Sequence, residues 1–382
     1  MSHPLVTDQS EFDELVDQWA ACNRIALDTE FHREKTYFPR LALLQVADPG
    51  GVSLVDPTRV NVSSLDRVFT SGTTIVMHAA QQDLEVLFRV CRSLPESVID
   101  TQLIAGFVGY STPSLSNLVQ AKLGHSLPKG DRLTDWFARP LSDDQRRYAA
   151  SDVEHLLQLL TDLESELISL GRLEWATQAC DELLTRRYEP GDPADAWLKL
   201  KDIRTLSGGA RACAQAIASW RESCAQRDDI PARFVLSDMG VLTVAQRRPT
   251  DVAELSAVRG VDSRAMKGRY GEQLLKVIKE APKEPIPYPA TDVDDGDKKM
   301  RPAVTLATAW ISELARREKL DPALLATKTD VISFLRGSTD SRLSSGWRND
   351  LVGQDLTDLL AGKAALSFDG KGHLRLIHTN AP

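Results

Sequence analysis

The residues of this chain most able to do chemistry are acidic, and they fall in three short stretches. The first is Asp28-Thr29-Glu30, inside the run Arg24–Phe31. Residues two apart on a strand point to the same face, so Asp28 and Glu30 would present two carboxylates side by side. Ile25, Leu27 and Phe31 flank them. Two acids at the end of a buried strand are costly unless a cation pairs them. A solvated strand end is the other reading. The second stretch, 76–90, runs from a strand through His78 into a helix with Asp83 in its first turn. An acid there offsets the helix dipole. It also sits at the carboxyl edge of the sheet, where α/β sites form. His78 has no other His at ligand spacing nearby and is expected to be structural or to support a ligand from behind rather than bind metal itself. The third stretch, 146–160, places Tyr148 and Asp152 four residues apart on a helical pattern, hence on one face.

Four carboxylates from three segments suit two hard divalent cations, which prefer oxygen ligands. Without cations the acids would repel one another and raise each other's pKa values. Two cations about 4 Å apart activate water, hold a scissile phosphate and stabilise a leaving oxygen. This pattern argues for metal and leaves the substrate open. Gln45 either contacts substrate or braces the sheet. Phe31, Tyr37, Phe38, Phe107 and Trp136 are candidates to stack on terminal bases, with core or rim packing as the alternative. Ser207-Gly208-Gly209 has no strand before it and no lysine after it, so it reads as a helix start.

The elements that must position these residues follow from periodicity. Runs 24–31, 41–48, 51–56 and 73–79 are short, rich in Val, Ile and Leu, and separated by turn residues such as Asp48-Pro49-Gly50-Gly51, as strands are. The whole stretch up to residue 80 reads as strands. Helical patterns follow at 80–92, 98–109, 114–123 and 142–169. Strands mixed with helices predict an α/β module with a mixed, covered sheet over 1–193. The break at 188–193 leads into an all-helical segment, 194–285. A Pro- and Asp-rich linker spans 286–299. A second helical segment and tail fill 300–382, with a hairpin turning at Asp369-Gly370. Asp229-Ile230-Pro231 and Asp321-Pro322 each follow a long helical pattern, a hint of internal duplication.

Charge follows the same division. Residues 1–193 hold 17 Lys+Arg against 29 Asp+Glu, a net of −12; residues 194–285 hold 16 against 12, a net of +4; the remainder is balanced at 13 of each. An acidic catalytic module beside a basic one fits a nuclease, although charge alone fits many proteins. Arg211, Arg221, Arg247, Arg248, Lys267 and Arg269 are candidates for phosphate contact. On this division the carboxylate chemistry lies within 1–190, and loss of 194–382 would weaken grip on a long polyanionic substrate more than the chemical step. The five cysteines are scattered with no Cys-x-x-Cys pair, so neither a disulfide framework nor a zinc knuckle is expected. No apolar run reaches 18 residues and the N-terminus does not look like a presequence, so a cytoplasmic protein without a membrane span is expected.

The order Asp28-Thr29-Glu30, then His78-Ala79-Ala80-Gln81-Gln82-Asp83-Leu84-Glu85, then Tyr148-Ala149-Ala150-Ser151-Asp152 resembles the DEDDy class of 3′→5′ exonucleases, and more closely the bacterial ribonuclease D family. The likeness extends through 28–48. Residues 196–238 and 253–260 resemble an HRDC domain, and 301–365 a more divergent second one, so nearly the whole chain is covered. The resemblance implies a ribonuclease H-like exonuclease domain followed by two small helical HRDC-type domains. It implies two Mg²⁺ or Mn²⁺ ions, with Asp28 bridging them, Glu30 and Asp152 on the ion that activates water, and Asp83 on the second. Tyr148 would position the attacking water. It further implies release of nucleoside 5′-monophosphates from RNA 3′ ends, with tRNA precursors as the setting. Single-stranded DNA and a non-catalytic binding role are the alternatives.

Overall fold

The Asp28-Thr29-Glu30 segment lies on the longest strand of a six-stranded sheet. The strands are β1 (Leu5–Val6), β2 (Arg24–His32), β3 (Arg40–Asp48), β4 (Gly51–Val55), β5 (Thr74–Met77) and β6 (Val98–Asp100), in the order β1-β4-β3-β2-β5-β6. The sheet is mixed: β1 with β4, β2 with β5 and β5 with β6 are parallel, whereas β3 and β4 are antiparallel. The structure is a computed structural model and describes residues 3–128, 134–262, 264, 268–288 and 296–379, without the side chains of 269 and 296–299.

Several elements differ from the sequence expectation. Gln9–Ala20 is a helix, although the first 80 residues read as strands. Asp8 caps it by accepting from the Ser10 and Glu11 amides, and Phe12, Val16 and Trp19 form its buried stripe. Residues 98–100 form strand β6 ahead of the short helix Thr101–Ala105, where a helical pattern was expected throughout. The stretch 142–169 is two helices, Asp143–Glu154 and Leu156–Ser169, divided at His155.

The chain divides into two compact units. The first comprises Met1–Thr29, Leu43–Arg187 and Val293–Pro382; the second comprises Glu30–Ala42 and Tyr188–Asp292. They cut the chain differently from the successive domains 1–193, 194–285 and 300–382 expected from sequence. In the first unit one apolar core runs from the sheet face (Ala26, Ala47, Val76) through Leu156, Leu159 and Leu163 to Trp310, Leu324 and Trp347. Trp347 stacks on Trp175 at 5.2 Å between ring centroids and meets Phe107 edge-on at 5.3 Å. The C-terminal segment therefore packs on the helical layer over the sheet. Apolar residues returning from late in the chain carry no local signal of where they dock.

The second unit is helical over its C-terminal stretch. Its longest helix, Gly208–Asp228, begins after Ser207 with Gly208 at φ 49°, as expected of a helix-start turn. Ser237 caps Asp238–Arg247. Trp197, Ile203, Ile217, Val241, Leu255 and Leu274 are among its buried core. The helix Gly296–Glu318 begins inside the expected linker 286–299, of which 289–295 lie outside the described residues. The tail forms the expected hairpin, β7 (Ala364–Phe368) with β8 (Leu374–His378). No described helix is long and apolar enough to cross a membrane.

Candidate active site

Asp28, Glu30 and Asp152 converge. One carboxylate oxygen from each lies within 4.8 Å of the others, and all three side chains are half-buried. Strand alternation brings the first two to one face. The helix Asp143–Glu154 delivers the third, fixed at its start by a capping box in which Ser142 and Gln145 satisfy each other's amides. Ala149, Ala150 and Val153 bury its inner face.

Asp83 is not one of the three. It is 7% exposed and accepts a 2.5 Å hydrogen bond from Thr29 Oγ1. Burial pushes its pKa up to about 6, against the opposing hydrogen bonds from Thr29. Asp152 is pushed up to about 7 by burial and then by the charge of Asp83, while the Tyr148 phenol, hydrogen-bonded to it, pulls the other way. Of the sequence-expected residues, then, three carboxylates share a ligand-sized space, Asp83 acts electrostatically on one of them, and Tyr148 bonds that same one. This donor set fits a hard divalent cation. It is all carboxylate oxygen, and Asp152 holds its proton tightly because burial and the nearby Asp83 charge disfavour its ionised form, a cost that a cation relieves.

Other residues fix this geometry. At the turn into the helix Gln81–Cys91, which bears Asp83, Ala79 takes the left-handed conformation at φ 61°. Asp100 holds that turn: its two carboxylate oxygens accept the Ala79 and Ala80 amides, each at 2.9 Å. His78 is structural, its ring 2.9 Å from Thr101 Oγ1 and 3.1 Å from the Pro113 carbonyl. Burial lowers its pKa. Ahead of the Asp143–Glu154 helix, Arg139 makes a two-pronged pair with buried Asp56, at 2.6 and 2.8 Å, and donates to the Trp136 carbonyl. The Trp136 ring lies 6.0 Å from that of Tyr148. Burial works against the Asp56 charge, but the Arg139 and Thr58 hydrogen bonds outweigh it and lower its pKa. Thr29, Asp100, Asp56 and Arg139 escaped the sequence reading. Thr29 lay within the acidic motif and could have been read as a donor; the others are set by contacts distant in sequence.

Comparison with known proteins gives this geometry its context. Residues 4–168 match the 3′-5′ exonuclease family, and residues 210–278 match the HRDC domain family. The chain is 34% identical over 364 residues to ribonuclease D of Jannaschia sp. (strain CCS1), covering 91% of this chain and 92% of that protein. It is 31% identical to ribonuclease D of Escherichia coli (strain K12), covering 94% and 99%.

The chain belongs to the ribonuclease D family.

A crystal structure of E. coli RNase D, described as an exoribonuclease involved in structured RNA processing, superposes with a TM-score of 0.83 at 30% identity over 95% of this chain and 99% of that one. The chain is thus a ribonuclease D-type hydrolase, with a ribonuclease H-like 3′→5′ exonuclease fold followed by an HRDC domain.

Several residues take places that narrow the sequence reading. Gln45 is fully buried, and among the described residues neither of its amide atoms has a hydrogen-bond partner. Phe107 is fully buried against Trp347 and is not available for base stacking. Trp136 is 6% exposed and packs on Tyr148. Tyr37 donates to Glu222 and packs beside the cluster of Cys224, Ala225 and Val235, so its ring is engaged by protein. Arg221 is buried, bonded to the Leu236 carbonyl and the Asp238 carboxylate, and is removed from the phosphate-contact candidates. Arg211 lies over the Tyr288 ring at 5.4 Å. Arg247 and Arg248 are exposed. Lys267 and the Arg269 side chain lie outside the described residues.

Proposed function

We propose that this chain trims single-stranded RNA from its 3′ end, releasing nucleoside 5′-monophosphates, with tRNA precursors bearing 3′ extensions as the physiological class. The observation that carries this reading is the meeting of Asp28, Glu30 and Asp152 within one ligand-sized space in a ribonuclease D-type chain. Asp28, Glu30, Asp83 and Asp152 are the proposed ligands of two divalent cations, Mg²⁺ or Mn²⁺. Such ions, when bound, lower the pKa of water and offset charge on the scissile phosphate.

The protein's own groups do the rest. The Tyr148 phenol, tied to Asp152, orients the attacking water at the last phosphodiester. Water oxygen bonds to phosphorus as the bond to the 3′ oxygen of the preceding nucleotide breaks. Thr29 holds the Asp83 carboxylate by its hydroxyl and fixes its direction. Residues 1–193 carry the chemistry in this reading, and the HRDC domain within 194–285 contacts the RNA backbone upstream, where exposed Arg247 and Arg248 release counterions on binding. Residues 300–382 are proposed as a second, divergent HRDC-like domain. The support is a repeated order of elements. The helices Gly208–Asp228 and Gly296–Glu318 are each followed by a left-handed residue, Asp229 and Lys319. Each then leads to a four-residue helix and a side-chain-capped helix.

The test uses purified full-length protein with Mg²⁺ or Mn²⁺ on 5′-labelled and 3′-labelled RNA and DNA of equal sequence. Stepwise shortening from the 3′ end of RNA, lost in Asp28→Asn, Glu30→Gln and Asp152→Asn with unchanged folding, is the expected result. Tyr148→Phe is expected to bind Mn²⁺ normally and turn over slowly. Turnover by Asp28→Asn at the wild-type rate would refute the assigned site, and faster shortening of DNA than RNA would refute the substrate.

A further inference from the structure

The strand that carries two of the clustered carboxylates belongs to both compact units. Strand β2 spans Arg24–His32, and the division between the units falls between Thr29 and Glu30. Its register with β5 runs from Arg24 to Ala26, short of both carboxylates. Beyond His32 the chain enters the loop joining β2 to β3, and within the second unit that loop is fastened to the HRDC domain by polar contacts. The Tyr37 hydroxyl donates to Glu222 Oε1 at 2.5 Å and accepts from Gln226 Nε2 at 3.2 Å. The Phe38 amide donates to Asp229 Oδ1 at 3.0 Å, and Arg233 donates to the Glu34 carbonyl at 3.2 Å.

These contacts are built for the loop. Glu222 is 6% exposed on the longest helix, where a buried polar group needs a hydrogen-bond partner. Asp229, at φ 50°, ends that helix in the left-handed conformation, and its side chain accepts an amide from the loop. The Tyr37 ring packs beside Cys224, Ala225 and Val235. A surface serving only as a grip on RNA has no use for a buried carboxylate aimed at a loop of the exonuclease sequence.

We propose that the HRDC domain positions Glu30: the Tyr37–Glu222 contact anchors the loop seven residues beyond Glu30 and thereby sets where the outer end of β2 holds its carboxylate. Tyr37 and Glu222 are positioning residues that act through the backbone of 31–37. The HRDC domain then contributes to the chemical step even on short substrates. Misplacement of a reacting group by about 1 Å is sufficient to cost turnover.

The inference rests on the proposed metal-dependent site, so Asp28→Asn is run beside it as the separate test of that site. Full-length Tyr37→Phe removes one hydroxyl and keeps the ring. On a short single-stranded RNA with Mn²⁺ its kcat is expected to fall about tenfold with KM unchanged. Metal-free hydrogen exchange of the amides at 30–38 is expected to accelerate, and Mn²⁺ binding measured by calorimetry to weaken. Glu222→Ala should match it, Glu222→Gln, which keeps an acceptor, should recover most of the loss, and Tyr37→Phe with Glu222→Ala should be no worse than either alone. Wild-type kcat and Mn²⁺ affinity in Tyr37→Phe would overturn the proposal, as would a loss confined to KM or losses that multiply in the double variant. If Asp28→Asn retains turnover, the site assignment fails instead, and the exchange and calorimetric readouts still decide whether the loop is coupled to the HRDC domain.

Discussion

At the scale of single residues the site includes two acids that resist ionising. Asp83 and Asp152, raised to about 6 and about 7 chiefly by burial, retain protons where free carboxyls have lost them. The unfolded chain releases those protons near the ordinary carboxylate pKa of about 4. Between about pH 4 and pH 7 the folded metal-free protein therefore binds more protons than the unfolded chain, and these two groups make stability fall as pH rises. A cation competes with the same protons, so its affinity rises across that window. Calorimetry is expected to show Mn²⁺ binding about tenfold or more tighter near pH 8 than near pH 5.5, with a larger Mn²⁺-induced rise in Tm at the higher pH. Affinity flat across that range would contradict the shifts. Thr29 offers a sharper probe. Thr29→Val keeps the shape and removes the donor to Asp83, so the Asp83 pKa should rise further and Mn²⁺ binding at neutral pH should weaken by about tenfold. Unchanged calorimetric affinity in that variant would show the hydrogen bond to be idle.

At the scale of elements the site depends on three unrelated starts: a strand end, the first turn of the Asp83 helix, and the capped helix carrying Tyr148 and Asp152. The last is placed by the Asp56–Arg139 pair. Arg139→Ala would strand a carboxylate that is 2% exposed, and leaving one partner of a buried pair alone costs about 3 kcal/mol. Urea denaturation is expected to show that loss together with a lower kcat, because the Arg139 bond to the Trp136 carbonyl and the Trp136 packing on Tyr148 go with it. A kcat equal to wild type would separate the pair from the site. Much at this scale was legible in sequence. The alternating or wholly apolar runs at 24–31, 41–48, 51–56 and 73–79 all became strands, since a buried strand announces itself in its own residues. The spacing of Asp28 to Glu30 and of Tyr148 to Asp152 carried their shared faces for the same reason. What local pattern could not carry was tertiary in origin. Strand β6 has three residues, too few for a period, and Asp100 reveals its purpose only through amides some twenty residues earlier. The Gln9–Ala20 helix was legible from Asp8 and the Phe12, Val16, Trp19 spacing, and was masked by the strand-rich sequence after it.

At the scale of the whole molecule, linear order and packing part company. Composition suggests breaks at 188–193 and in the proline-rich stretch before 300, and the second unit's longer segment begins at Tyr188. It cannot mark which late segment returns to an early core. Residues after 293 return to the first unit, where Arg342 and Arg348 pair with Glu182 at 2.7 and 2.5 Å and the Asp321 amide donates to the Gly106 carbonyl at 2.9 Å. Trp347 is the apolar centre of that contact, 5% exposed between Trp175 and Phe107. A cut after residue 193 runs through this core and also removes the HRDC partner of the Tyr37 loop, so a 1–193 fragment is no clean isolate of catalysis. A point substitution separates the two effects. Trp347→Ala removes a large buried ring and leaves a cavity, which costs about 3–5 kcal/mol. Because Trp347 touches none of the clustered carboxylates, kcat on short RNA below the lowered Tm should stay near wild type. Denaturant unfolding should report the loss in the transition of the exonuclease unit itself, read by exchange of amides in β2 and β5. If those amides keep wild-type protection while only the residues after 293 loosen, the C-terminal segment is a separate domain and the shared core does not stabilise the exonuclease fold.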